Sequence, residues 1–116
     1  MRRITTITVR TLGTRCNERL PVTALIRAHR DRYGFTACHY YVTRRGTVYQ
    51  TRHEQLPGVE ALGDHAHALV VGCEGGLDAS GHPADTRTPR QRQSLGRLLR
   101  RLAAAHPGAC VDSQLL

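Results

Sequence analysis

Lysine is absent from this sequence: all 17 basic side chains are arginine, set against 9 acidic ones for a net charge of +8. An arginine-only surface presents planar forks of donors that suit phosphate and carboxylate, and hence an anionic ligand, a nucleic acid or a cell-wall polymer. Codon bias produces the same composition. A second scarcity weighs against nucleic acid, because aromatic residues make up only 4% of the chain and no reading motif accompanies the charge. Long apolar runs are missing as well. Nothing approaches the roughly 18 residues that cross a bilayer, and Met1-Arg2-Arg3 is followed by alternating residues where a secretory signal has an uninterrupted apolar stretch. These absences predict a soluble cytoplasmic protein with no membrane contact, or one exported by a route the sequence hides.

The cysteines Cys16, Cys38, Cys73 and Cys110 are widely separated, and none forms a Cys-x-x-Cys pair. That spacing excludes zinc-ribbon and thioredoxin-like readings. Free thiols are expected, with Cys73 packing as a small hydrophobe inside an apolar run. Internal repeats and low-complexity tracts are also lacking. A chain of 116 residues supports one domain with a layered core and needs no staple.

What is present reads as an alternation of strands and helices. Ile4 to Arg10 alternates like a first strand, although its threonines blur the two faces. Val22, Leu25, Ile26 and His29 recur at helical spacing between Pro21 and Tyr33, with Gly34 as the stop. His39 to Thr43 and Thr47 to Arg52 flank the turn Arg44-Arg45-Gly46 and predict a hairpin. Pro57 to Asp64 reads as a loop. Ala66 to Cys73 is apolar enough for a buried central strand ended by Gly75-Gly76, and Asp78 to Arg87 reads as a polar surface connection. Thr88-Pro89-Arg90-Gln91 matches a capping box with proline at the first helical position, and Leu95, Leu98, Leu99 and Leu102 make one apolar face. Arg92, Arg97, Arg100 and Arg101 fall largely off that face. His106-Pro107-Gly108 closes the helix, and Ala109 to Val111 starts a last strand. The order predicts an α/β domain, a mixed central sheet flanked by helices.

On the hairpin with Arg45-Gly46-Thr47-Val48, the turn Gly72-Cys73-Glu74-Gly75-Gly76-Leu77-Asp78, and Thr88-Pro89 opening the long helix, the chain resembles the zinc-dependent N-acetylmuramoyl-L-alanine amidases. That family includes phage-type lysozymes with amidase activity and peptidoglycan recognition proteins. The resemblance covers essentially the whole chain and implies the amidase fold. It also implies a zinc held by two histidines and a third ligand, with an open position for the attacking water. The matching positions carry other residues. The first ligand's place, at the end of the first strand, is Arg10, whose guanidinium has no lone pair for a metal. Counting from Pro107-Gly108-Ala109, the second ligand's place is Gln114, and the third position lies past Leu116, which makes the domain short at its C-terminus relative to the family. The place of the family's catalytic tyrosine holds Cys38, next to a matching His39, and Glu60 stands where relatives carry a further histidine near the cleft.

A rebuilt metal site from His65 and His67, which share a side if their segment is extended, with Cys38, His39 or Cys73 nearby, is the alternative to loss of the metal. A Cys38–His39 dyad is disfavoured, because neighbours on a strand point to opposite faces. The reading that follows is a pseudoenzyme with no cofactor, whose basic cleft takes a small anionic ligand through Arg10, Cys38, His39, Glu60, His65, His67 and Gln114. Candidate ligands are a muropeptide or a nucleotide immune signal sequestered by a phage-encoded sponge. Alternatives are a regulator that binds a protein partner through its basic helix, an active amidase with a rearranged metal site, and a decayed gene product.

Overall fold

Strand alternation sorts the two faces of the sheet. The computed structural model describes residues 2–58 and 66–114. In it, β1 (Thr6–Thr11) buries Ile7 and Val9 on one side, and the intervening Thr8 and Arg10 take the other. Five strands pair in the order β4-β3-β5-β1-β7, where β3 is Tyr40–Val42, β4 Val48–Gln50, β5 Ala68–Cys73 and β7 Cys110–Gln114. β5 is parallel to both β1 and β3, β7 is parallel to β1, and only β3 and β4 are antiparallel. The expected mixed sheet is therefore present. Every residue of β5 is buried, as its unbroken apolar character requires for a strand covered on both faces.

Helix α2 (Pro89–Ala105) lies on one face, where Leu95, Leu98 and Leu102 meet Ile7, Val9, Val42, Leu69, Val71 and Cys73. Each of these buried leucines contributes about 2 kcal/mol of apolar burial. Helix α1 (Val22–Tyr33) covers the other face and inserts Leu25 against Cys38, Tyr41 and Val70. It ends at Gly34, whose φ of 84° is left-handed and whose N–H reaches the Arg30 carbonyl.

Three features go beyond what the sequence predicts. The two-residue strands β2 (Thr14–Arg15) and β6 (Gly76–Leu77) pair in parallel, so the chain resumes as a strand at Gly76 after the break at Gly75. β7 runs to Gln114, three residues further than Val111, because its main chain pairs with β1 along its length. The capping box is only half formed. Thr88 Oγ1 accepts from Gln91 N at 3.1 Å. The fully buried Gln91 side chain instead donates to the carbonyls of Val42 and Glu74, at 3.1 and 2.9 Å. It ties the helix start to two strand ends.

The hairpin tip is seated on α2. A Cβ at Gly46, where φ is 87°, would stand 2.9 Å from Ser94 Oγ, and Ser94 Oγ donates to the Gly46 carbonyl at 2.7 Å. The residues Val59 to His65, which include Glu60 and much of the expected loop, lie outside the described residues.

Candidate functional site

On the α1 face, the sheet and helix leave a cavity of about 250 Å³ lined by Arg10, Leu12, His29, Arg32, Tyr33 and Cys38, with Gly72 in its floor. The strand register places Arg10 beside Gly72 on one side and Gln114 on the other. The missing side chain at residue 72 makes the space: a Cβ there would meet Leu12 Cδ2 at 3.1 Å and Cys38 Sγ at 3.3 Å. Cys38 Sγ thus approaches the sheet next to Arg10, two positions that the sequence separates by the whole of α1.

Arg10 enters this cavity unsatisfied. Its Nε is buried and has no hydrogen-bond partner. A buried donor left without an acceptor costs about 1–3 kcal/mol, so the site holds an uncompensated cationic donor. Arg32 and Tyr33 add a second guanidinium and a ring, with the Arg32 carbon 5.2 Å from the Tyr33 centroid. His29 completes the wall. Its Nδ1 accepts from Ala37 N at 3.0 Å, which leaves the Nε2–H tautomer as a donor, and burial followed by the Arg32 charge lowers its pKa.

The sequence reading did not single out His29, Arg32 and Tyr33 as site residues. Their signal was spacing at i, i+3 and i+4, which puts three side chains on one helix face. That spacing alone does not say that the face looks into a cavity.

The residues expected at the site divide into two groups. Arg10 stands between Cys38 and Gln114 at the end of β1: Cys38 lines the cavity with it on the β5 side, whereas Gln114 pairs with it on the β7 side and is not among the lining residues. Cys38 is buried, and burial pushes its thiol up to about 11 despite the nearby Thr51 hydroxyl, so it is a thiol and not a thiolate at neutral pH. Gln114 lies exposed on the edge strand and its amide donates to Asp112 Oδ2 at 2.9 Å.

His39 belongs to the fold. Val70 N–H donates to its Nδ1 at 3.1 Å, which places the ring proton on Nε2, facing the Leu56 carbonyl at 2.8 Å. Burial first, then the charges of Arg2 and Arg52, bring its pKa down to about 4, against the pull of the Leu56 carbonyl. His67 stands at the far end of β5, beside Thr5 and Thr6, with Nδ1 3.1 Å from the Arg3 carbonyl. The strand rise sets it about 16 Å from the level of Arg10. Glu60 and His65 lie outside the described residues.

The donor set can be tested against zinc. A closed or catalytic zinc site needs at least three lone-pair donors from His, Cys, Asp or Glu. Among the described residues no three such groups converge, and Cys73 sits in the α2-side core, across the sheet from Cys38. A guanidinium and an exposed amide at the two positions flanking the β1 end do not fit the metal. No helix among the described residues is long and apolar enough to cross a membrane.

Comparison with known proteins agrees with this architecture. No family model matches the chain. It is 38% identical over 71 residues to the endolysin of Escherichia phage T7, and 32% identical over 73 residues to that of Enterobacteria phage K11. Those matches take in 61% and 63% of this chain but only 47% and 48% of the endolysins. The chain therefore spans about half the length of the phage relatives it matches.

Among solved structures, the N-acetylmuramoyl-L-alanine amidase LysC from Clostridium intestinale URNW superposes with a TM-score of 0.75 at 22% identity, over 96% of this chain and 70% of that one. Human PGRP-IBETAC, in complex with glycosamyl muramyl pentapeptide, gives a TM-score of 0.69 at 12% identity, over 94% of this chain and 70% of that one. The chain thus has the fold shared by N-acetylmuramoyl-L-alanine amidases and peptidoglycan recognition proteins, with a sequence similar to phage endolysins.

Proposed function

We propose that this chain binds a small anionic ligand in the Arg10 cavity without hydrolysing it, and that the ligand is a peptidoglycan fragment presenting a free carboxylate. The observation that carries the reading is the buried Arg10 Nε with no partner. A guanidinium offers a carboxylate two parallel donors, and such charge-assisted bonds are about twice as strong as neutral ones. Arg32 and the Nε2–H of His29 stand on the facing wall to share the charge. A space of about 250 Å³ suits the end of a stem peptide better than a whole disaccharide peptide. Human PGRP-IBETAC, with this fold, has been solved in complex with glycosamyl muramyl pentapeptide.

Support for binding without hydrolysis comes from the same residues. The described donors do not fit a water-activating metal, the Cys38 thiol stays protonated, and both His39 ring nitrogens are engaged with main chain. The test is a calorimetric titration with a muramyl tripeptide, its carboxamide and a cyclic dinucleotide, alongside a peptidoglycan cleavage assay. The free acid binds, the carboxamide does not, and Arg10→Ala abolishes binding while the protein stays folded. Undiminished affinity in Arg10→Ala refutes the anchor, tight binding of the dinucleotide alone moves the ligand to the nucleotide class, and amide cleavage refutes the non-catalytic reading.

A further inference from the structure

We propose that the outer edge of β4 is a docking site for an acidic peptide in extended conformation. β4 ends the sheet, and its partner on the inner side is β3. The bonds Thr43 N–H to Thr47 O and Thr51 N–H to His39 O set the antiparallel pattern, in which Tyr41 and Tyr49 face each other through their main chains. Val48 and Gln50 alternate with them, so their main-chain groups point outward. The Glu74 N–H to Val42 O bond confirms the phase, since Val42, opposite Val48, turns its carbonyl toward β5. Val48 and Tyr49 are 37% and 39% exposed, so among the described residues the edge is open as well as unpaired.

Arginines flank this edge on both faces. Val48, opposite the core residue Val42, lies on the α2 face beside a groove of about 310 Å³ lined by Ser94, Arg97 and Arg101. Tyr49, opposite Tyr41, lies on the α1 face beside a groove of about 620 Å³ that carries Arg19, Arg44 and Arg45. Of these arginines only Arg44 is in an ion pair among the described residues, with Glu74.

A strand added to β4 alternates its side chains between the two faces. Neighbouring carboxylates on such a strand would therefore reach one basic groove each, while its main chain takes up Val48 and Gln50. A second copy of this chain fits poorly, because two such edges would bring like charges together, as edge-protecting arginines do in general. The occupant is thus an acidic partner of different sequence, and the site is independent of the Arg10 cavity.

The test uses a short threonine-rich peptide carrying paired glutamates, its glutamine version, an N-methylated version that cannot complete the ladder, and oligothymidylate. Binding is followed by fluorescence anisotropy, and exchange at individual amides by NMR. The glutamate peptide binds and slows exchange at the Val48 and Gln50 amides at least about tenfold, while the glutamine and N-methylated peptides bind weakly. Arg45→Glu combined with Arg97→Glu reduces affinity by about tenfold or more. Equal binding of the N-methylated peptide, unchanged exchange at those amides, preference for oligothymidylate, or self-association through β4 would each overturn the proposal.

Discussion

Replacing Arg10 by methionine should make the empty protein more stable. The guanidinium makes no hydrogen bond or ion pair with the described residues, and its Nε is buried. Arg10, with its aliphatic stem, lines the cavity together with Leu12, Ala28, Cys38 and Val70. Methionine keeps most of that stem, which is the part the apolar wall can use, and removes the orphaned donor. An unsatisfied buried donor costs about 1–3 kcal/mol. Because Arg10 as a whole is only partly buried, the lower end applies, and Arg10→Met should gain about 1 kcal/mol. For a chain of this length that corresponds to a rise in Tm of about 3–6 °C.

Calorimetry at pH 7 measures it directly, and saturating ligand should reverse the ranking. Wild type gains about 2.7 kcal/mol at a ligand concentration one hundred times its Kd, and the variant gains nothing. If Arg10→Met is less stable than wild type without ligand, the guanidinium is a structural group and the reading of Arg10 as an unsatisfied anchor fails.

Two further predictions concern buried groups outside the anchor. His39 titrates at about 4 in the fold against about 6.5 when unfolded, so the unfolded chain takes up the extra proton between these values and stability falls as pH drops from 6.5 to 4. The full loss is about 3 kcal/mol. Urea midpoints should track it, and His39→Gln, which retains one acceptor and one donor, should flatten the slope; an equal slope in the variant assigns the effect to other groups. With a disulfide-exchange reagent at pH 7.5, the exposed Cys16 and Cys110 should react quickly and the buried Cys38 and Cys73 only on unfolding. Rapid labelling of Cys38 would contradict its burial.

Much of the architecture was legible in the chain. The leucine spacing of α2, Gly34 as a stop and the apolar run of β5 each state a local rule, and the structure obeys them because those rules act within a few residues. The lack of a lone-pair donor at Arg10 was legible for the same reason, since a guanidinium cannot ligate a metal in any surroundings. His39 was less transparent. Its residue type suits ligand binding, but the Val70 N–H and Leu56 carbonyl that occupy it come from other segments of the chain. Gln91 illustrates the same point, since its place in a capping box is a local pattern whereas its bonds to Val42 and Glu74 are tertiary.

Sequence alone determined the order of elements, the excess of arginine and the chemistry unavailable at the end of β1, because composition and periodicity act without reference to distant neighbours. Tertiary structure decided which residues share a space. Parallel pairing of β1 with β5 and β7 sets Arg10 between Gly72 and Gln114, and the packing of α1 brings His29, Arg32 and Tyr33 over it. Pairing also sends His67 to the opposite end of the sheet. A strand's own alternation fixes which face each side chain takes, but its register, and so its position along the sheet, is set only against the partner strand.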